Sequence, residues 1–311
     1  MGSLTHLVII GFGSQAKAWA LNLKDSGANV YIALRESSPS FKEAQSLELQ
    51  TLTLGPELKN FSNFAILTPD HTHQQILEDN KQYILDGSKI ILAHGFSYVK
   101  NSFKEKHPYW SFLMLAPKAI ASELRFQFET KGKLGAVIST EGSKDRESDL
   151  KLLNELAKAI GITAGPFEET FKDETFADLY SEQSILCSLI PYGALHSYKK
   201  LREKGISKEV AYLECWYEVK LITDALIKLG PLKFFNLISP NALIGGEKAR
   251  KAIFNKNYEE VSDQLINDIW NGKFFKEVDE TDFDAIKQGV KTFWENEELT
   301  QVHDELSGRL F

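Results

Sequence analysis

Two cysteines in 311 residues are too few for a disulfide-framed fold. Cys187 and Cys215 both stand in apolar surroundings, so buried free thiols are expected. No apolar run is long enough to span a bilayer, and the start of the chain lacks the basic segment and apolar stretch of a secretory signal; a cytoplasmic protein is the expectation. A basic stripe is missing too. With 36 Lys and Arg against 43 Asp and Glu, the net charge of −7 argues against nucleic acid or a membrane surface as the main partner. What remains is an ordinary soluble composition, 43% apolar and 25% charged, in a chain long enough for two domains.

The first half reads as a doubly wound α/β domain of Rossmann type. Leu7 to Gly11 is a short apolar run suited to a central parallel strand, and it breaks into Gly11-Phe12-Gly13-Ser14-Gln15-Ala16. In such a G-x-G-x-x-A loop the first glycine permits a tight turn, the second lets backbone amides approach a pyrophosphate, and a small third residue allows close helix packing. The helix that follows, 14–26, would point its positive end at the phosphates and finish at Gly27. Further strands are expected at Asn29 to Leu34, Phe64 to Leu67, Lys89 to Ala93, Phe112 to Leu115 and Gly135 to Ser139, with a helix over 70–85.

The end of the second strand selects the cofactor. An acid there binds a ribose 2′-hydroxyl, whereas an arginine with hydroxyls accommodates a 2′-phosphate. Arg35, Ser38 and Ser40 favour NADP, and Glu36 is the feature that would favour NAD. Ligands in such sheets bind beyond the carboxyl ends of the strands, where Thr68-Pro69-Asp70-His71, His94-Gly95 and Pro117-Lys118 fall.

The second half carries two acid pairs, Asp178 with Glu182 and Glu214 with Glu218, on segments of helical pattern at 170–183 and 208–229. Residues four apart share a helix face. The second pair lies among Leu213, Trp216, Leu221 and Ile222, where an unpaired charge would be costly. Four converging carboxylates would suit a hard cation such as Mg2+, and the alternative is that each pair is a solvated helix face. Pro191 is expected to kink or end the first of these helices beyond its acid pair. The later aromatics Trp270, Phe274, Phe275, Phe283, Phe293 and Trp294 suit a core or a dimer interface.

These segments together resemble ketol-acid reductoisomerase in its shorter form. The resemblance runs through GFGSQAKAWALNLKDSG, LRESSPSF, TPD, AHGF, APK, ETFKDETFADLYSEQ, YLECWYEVKLI and LISPNALIGG, and so covers nearly the whole chain. It implies an NADP-binding Rossmann-type domain over 1–168 and an all-helical metal, substrate and dimerisation domain over 169–311. It also implies NADP(H), two Mg2+ ions and a homodimer or higher oligomer with shared active sites. By position, Asp178, Glu182, Glu214 and Glu218 match the metal ligands, the second pair reaching the site from a partner subunit. Gly11, Phe12, Gly13, Ser14, Gln15, Arg35, Ser38, Ser40, Asp70, His71, Thr72 and His73 match the cofactor-binding set. His94, Lys118, Glu218 and Ser239 match catalytic or substrate-facing positions. The implied reaction converts a 2-acetolactate-type acyloin to a 2,3-dihydroxy acid by alkyl migration and reduction, as in branched-chain amino-acid biosynthesis.

Two substrate-facing turns depart from the family pattern. A glycine- and proline-rich turn is replaced by Ala119-Ile120-Ala121-Ser122, and Asn-Thr-Ala-Glu-Tyr by Pro240-Asn241-Ala242-Leu243-Ile244. The alternatives are therefore a divergent paralogue that reduces another 2-keto acid without rearrangement, and a non-catalytic NADP-binding dimer.

Overall fold

The computed structural model describes residues 5–310. Eight strands form one sheet: β1 Thr5–Ile10, β2 Asn29–Leu34, β3 Gln50–Thr53, β4 Asn63–Ile66, β5 Lys89–Leu92, β6 Ser111–Pro117, β7 Gly135–Gly142 and β8 Ala164–Glu168. Their order is β3-β2-β1-β4-β5-β6-β7-β8, and the β6–β7 pair is antiparallel while every other neighbour is parallel. The order reverses between β1 and β4, the point at which an open α/β sheet leaves a crevice for a ligand.

The strands form where the sequence is continuously apolar, because both faces of the sheet are covered. Leu7 and Ile9 of β1 join one core with Ile32, Ala65 and Ile91. Val8 and Ile10 turn the other way, against Phe64, Ile66, Ile90 and Phe112. The helices of this region are α1 Ser14–Asp25, α2 Ser40–Ser46, α3 Asp70–Asn80, α4 Phe96–Asn101, α5 Phe103–Lys106, α6 Ala121–Glu129 and α7 Arg146–Ala159. Helix α1 is capped by Ser26, and the left-handed turn at Gly27 (φ +77°) lets the Ala28 amide bond back to the Leu23 carbonyl. The expected helix over 70–85 stops at Asn80. Strands β3 and β8 were not foreseen: Gln-Thr-Leu-Thr is short and polar, and Ala-Gly-Pro-Phe-Glu contains a proline, as edge strands tolerate.

The helical region comprises α8 Phe171–Ser181, α9 Leu189–Glu203, α10 Lys208–Tyr212, α11 Glu218–Leu229, α12 Pro231–Leu237, α13 Pro240–Ile253, α14 Lys256–Trp270, α15 Lys273–Glu280, α16 Phe283–Glu295 and α17 Glu298–Leu310. The chain divides into two compact units between Thr175 and Phe176, inside α8. The first turn of α8 belongs to the sheet unit because Phe171 is fully buried in its core and stacks on Tyr98 at 3.9 Å. Pro191 does not end the first acid-bearing helix; it lies in the first turn of α9, and the break precedes it at Cys187 and Ser188.

The helical unit has one small core, formed by Leu195, Tyr198, Ala211, Tyr212, Leu299 and Val302. Around it, α17 is fastened by Glu298, which accepts hydrogen bonds from Arg202 Nε at 2.7 Å, Arg202 Nη2 at 3.0 Å and the Tyr198 hydroxyl at 2.7 Å. Helices α11, α12, α13, α15 and α16 bury no side chain. Trp270, Phe283 and Phe293, expected in a core or interface, are exposed within the single chain. Among the described residues no helix is long and apolar enough to cross a membrane.

Candidate active site

The sheet unit holds a cavity of about 920 Å3 at the crevice between β1 and β4. Its walls are Gly11, Phe12 and Gly13 after β1, Arg35, Glu36, Ser38 and Ser40 after β2, and Thr68, Pro69, His71 and Thr72 after β4. Gly11 adopts φ +101°, and a Cβ there would stand 2.6 Å from Thr68 Cγ2, so only glycine fits this turn. A Cβ on Gly13 would meet no protein atom; it would project into open space where backbone can approach a ligand. The residues therefore fit a dinucleotide, with Arg35, Ser38 and Ser40 as the polar groups at the ribose end. Ser14 and Gln15 open helix α1 and are not among the cavity walls.

Two of the histidine-loop positions behave differently from the expectation that they touch cofactor. Asp70 and His73 do not line the cavity. His73 is buried, 4% exposed, and both ring nitrogens are occupied within the protein: Nδ1 is 2.7 Å from Ser97 Oγ and Nε2 is 2.8 Å from the Thr68 carbonyl oxygen. Burial holds its pKa below the usual histidine range, against the opposing pull of Asp70 3.8 Å away. The cavity also extends to Gln75, Ile76, Asp79 and Asn80 of α3, which sequence reading missed because a helix face of mixed residues carries no motif.

At the carboxyl ends of β5 and β6 stand His94 and Lys118. His94 is half-buried, and its Nδ1 accepts a 3.4 Å hydrogen bond from the Phe96 amide, which leaves Nε2 to carry the ring proton in the neutral form. Gly95 is packed: a Cβ there would lie 2.2 Å from Thr175 Oγ1 and 2.8 Å from the Phe171 carbonyl oxygen. Lys118 Nζ lies 2.5 Å from Oε1 of Glu174, a carboxylate only 3% exposed. Glu174 was missed as a candidate, although it stands four residues before Asp178, as Asp178 does before Glu182, and that ladder was visible in the sequence. The substituted turn next to Lys118 leaves Ile120 75% exposed.

In the helical unit both acid pairs lie at wide π-helical turns, Glu182–Leu186 after α8 and Leu213–Tyr217 between α10 and α11. Such turns recur at functional sites. The π-helical turn at Leu213–Tyr217 holds Glu214 and ends just before Glu218, the two acids of the second pair. The convergence expected from spacing does not occur in one chain: among the described residues, no three His, Cys, Asp or Glu side chains cluster in a way that could hold a metal. Nor is the second pair buried. Glu214 and Glu218 are exposed, and of the apolar neighbours that suggested burial Leu213, Leu221 and Ile222 are exposed with them, while Trp216 is half-buried against the helical core. Their oxygen-donor chemistry suits a hard cation, which takes one or two carboxylates and fills the rest of its shell with water.

Ser239 is the N-cap of α13, where its Oγ accepts the Ala242 amide at 3.2 Å and its own proton remains available to donate. The cysteines are free but not buried as expected, Cys187 being exposed and Cys215 half-buried. Desolvation, then the carboxylates of Glu182 and Asp178, push the Cys187 thiol up, which disfavours its reactive thiolate.

The sheet order, the glycine turn and the cavity at the strand-order reversal define an α/β dinucleotide-binding unit joined to a helical unit. Residues 4–165 match the family description "Acetohydroxy acid isomeroreductase, NADPH-binding domain", and residues 171–309 match "Ketol-acid reductoisomerase, C-terminal domain". The chain is similar to a ketol-acid reductoisomerase (NADP(+)) of Kocuria rhizophila, 33% identical over 270 residues, which span 86% of this chain and 79% of that one. A ketol-acid reductoisomerase (NADP(+)) of Sulfolobus acidocaldarius is 33% identical over 291 residues, 92% of this chain and 87% of that one. Among solved structures, an NADH-preferring ketol-acid reductoisomerase from an uncultured archean superposes with a TM-score of 0.86 at 26% identity, covering 98% of this chain and 94% of that one. The chain belongs to the ketol-acid reductoisomerase family of oxidoreductases.

Proposed function

We propose that the chain is an NADPH- and Mg2+-dependent ketol-acid reductoisomerase that rearranges and reduces 2-acetolactate-type acyloins to 2,3-dihydroxy acids, working as a homo-oligomer. One observation carries this reading: both acid pairs stand on the helical unit amid exposed apolar side chains, a surface suited to being covered by a second copy. Coverage by a second copy would join one chain's Asp178 and Glu182 to the other's Glu214 and Glu218. When bound, Mg2+ supplies Lewis acidity at the substrate's oxygens and NADPH supplies the hydride.

The chain's own groups divide the remaining tasks. Gly11 to Gly13 and the start of α1 bind the pyrophosphate, and Arg35, Ser38 and Ser40 bind the 2′-phosphate. Glu218, solvent-facing, is the proton carrier. Lys118 is held in place by Glu174 and offers its ammonium to negative charge. His94 presents an Nε2 donor, and the Ser239 hydroxyl donates to the substrate carboxylate.

Two observations favour a second reading in part. Glu36 lines the cavity beside Arg35, and a carboxylate there would accept the 2′-hydroxyl of NADH. Ile120 at the N-cap of α6 and Leu243 and Ile244 in the first turns of α13 are exposed apolar side chains in the substituted segments, which suits a different 2-keto acid reduced without rearrangement. The test is to supply 2-acetolactate, then the rearranged intermediate 3-hydroxy-3-methyl-2-ketobutyrate, with NADPH or NADH and Mg2+. Turnover of both substrates, faster with NADPH, is expected. Reduction of the intermediate alone would replace the first reading with the second, and nucleotide binding with no turnover would leave a non-catalytic dimer. Glu214→Gln should lower Mg2+-dependent rearrangement by roughly a thousandfold without unfolding the chain; unchanged turnover would remove Glu214 from the ligand set.

A further inference from the structure

The imidazole of His73 has a fixed tautomer. A carbonyl oxygen only accepts, so the nitrogen facing Thr68, Nε2, carries the proton and donates at 2.8 Å. Nδ1 is then the acceptor, and the Ser97 hydroxyl donates to it at 2.7 Å. Ser97 is itself 0% exposed. The two partners belong to different parts of the catalytic end of the sheet. Thr68 follows β4, lines the nucleotide cavity and holds its Cγ2 in the space that a Cβ on Gly11 would need. Ser97 is the second residue of α4, three positions after His94. The bonded run Thr68, His73, Ser97 therefore links the wall beside the glycine turn to the start of α4, three residues from His94, through one buried ring.

We propose that His73 is a positioning residue for hydride transfer: it binds no ligand itself, but ties the Thr68–Pro69 wall of the nucleotide cavity to the start of α4 and so keeps His94 in register with the cofactor. The inference rests on the reading that the cavity holds a nicotinamide nucleotide. A hydrophobic replacement leaves the buried Ser97 hydroxyl and the Thr68 carbonyl without partners, and both walls relax. A glutamine can restore one donor and one acceptor on a planar group.

The test compares the full-length protein with His73→Leu, His73→Gln and Ser97→Ala, measuring NADPH affinity by fluorescence titration, KM and kcat with the keto-acid intermediate, and thermal stability in parallel. His73→Leu should weaken NADPH binding by about tenfold and lower kcat by a similar factor. His73→Gln should recover most of both. Ser97→Ala, which frees only the α4 side, should lower kcat while NADPH affinity stays within about twofold of the parent. Should His73→Leu fail to fold, that split in Ser97→Ala decides. Parent-like kinetics in His73→Leu, equal losses in the Leu and Gln variants, or no split in Ser97→Ala would each overturn the proposal. Failure of the unaltered chain to bind NADPH would overturn the cofactor reading first, and this inference with it.

Discussion

The sheet unit and the helical unit are built by different rules. In the first, β1, β4, β5 and β6 are buried on both faces and two extensive cores flank the sheet. In the second, a six-residue core supports ten helices, five of which bury nothing. Exposed apolar side chains concentrate there, with Ile227 at 76% and Leu232 at 77%. Burying apolar surface gains about 25 cal/mol per Å2, so the helical unit carries a surface suited to being covered, as the sheet unit does not. The difference teaches that one chain builds the nucleotide cavity by itself, whereas among the described residues its paired carboxylates form no metal-holding cluster within one chain; in the reading proposed above, a second copy would complete them.

The strongest way to break this comparison is to attack the covering surface. The unaltered chain should sediment as at least two copies at micromolar concentration. The double variant Ile227→Asp with Leu232→Asp should sediment as one copy, lose turnover by more than about a hundredfold and keep its NADPH affinity. A single-copy mass for the unaltered chain, or an unchanged assembly in the variant, would break the link between these helices and function.

A smaller effect sharpens the other side of the comparison. Asp149, fully buried at the start of α7, pairs with Lys89 of β5 at 2.6 Å and accepts a hydrogen bond from Ser143 at 2.6 Å. Lys89→Met leaves a buried carboxylate without its cation and should cost about 3 kcal/mol, lowering Tm by roughly 6–12 °C. Because that pair lies wholly in the sheet unit, the loss should appear in monomeric and assembled protein alike. Scanning calorimetry of both forms checks it.

The smallest effect concerns pH. The folded His73 ring resists protonation, chiefly through burial, while the unfolded residue takes up its proton near the usual value of 6.5. Below that pH the unfolded state binds more protons than the folded one, so this contribution to stability is present above about pH 6.5 and is lost as pH falls through the lower folded value. A Tm that declines between pH 7.5 and 5.5 in the parent, and less steeply in His73→Gln, is the expected result in calorimetry. Equal slopes would assign the decline to other groups.

Much of this was legible in the chain itself. The apolar runs beginning at Leu7, Asn29, Phe64, Lys89, Phe112 and Gly135 marked six of eight strands, because buried parallel strands must be apolar throughout. The turn at Gly11 and Gly13 marked the cavity, since few other sequences leave a strand that way. Spacing placed the acid pairs on shared helix faces. Other features needed three dimensions. Local pattern could not reveal the edge strands β3 and β8, whose residues are polar or broken by proline. It assigned His73 to the ligand, whereas the fold turns that ring inward to Thr68 and Ser97, contacts 5 and 24 residues away in the chain. It treated the residues around Glu214 as a buried environment, but the neighbours divide: Tyr212 and Trp216 turn toward the helical core, while Leu213, Leu221 and Ile222 are exposed with the acids. Composition and motif thus determined the kind of domain, the nucleotide turn and the supply of carboxylates. Tertiary structure decided which of those groups face a cavity, which are consumed inside the protein, and that the two acid pairs do not meet within one chain, because burial and convergence depend on packing between segments distant in sequence.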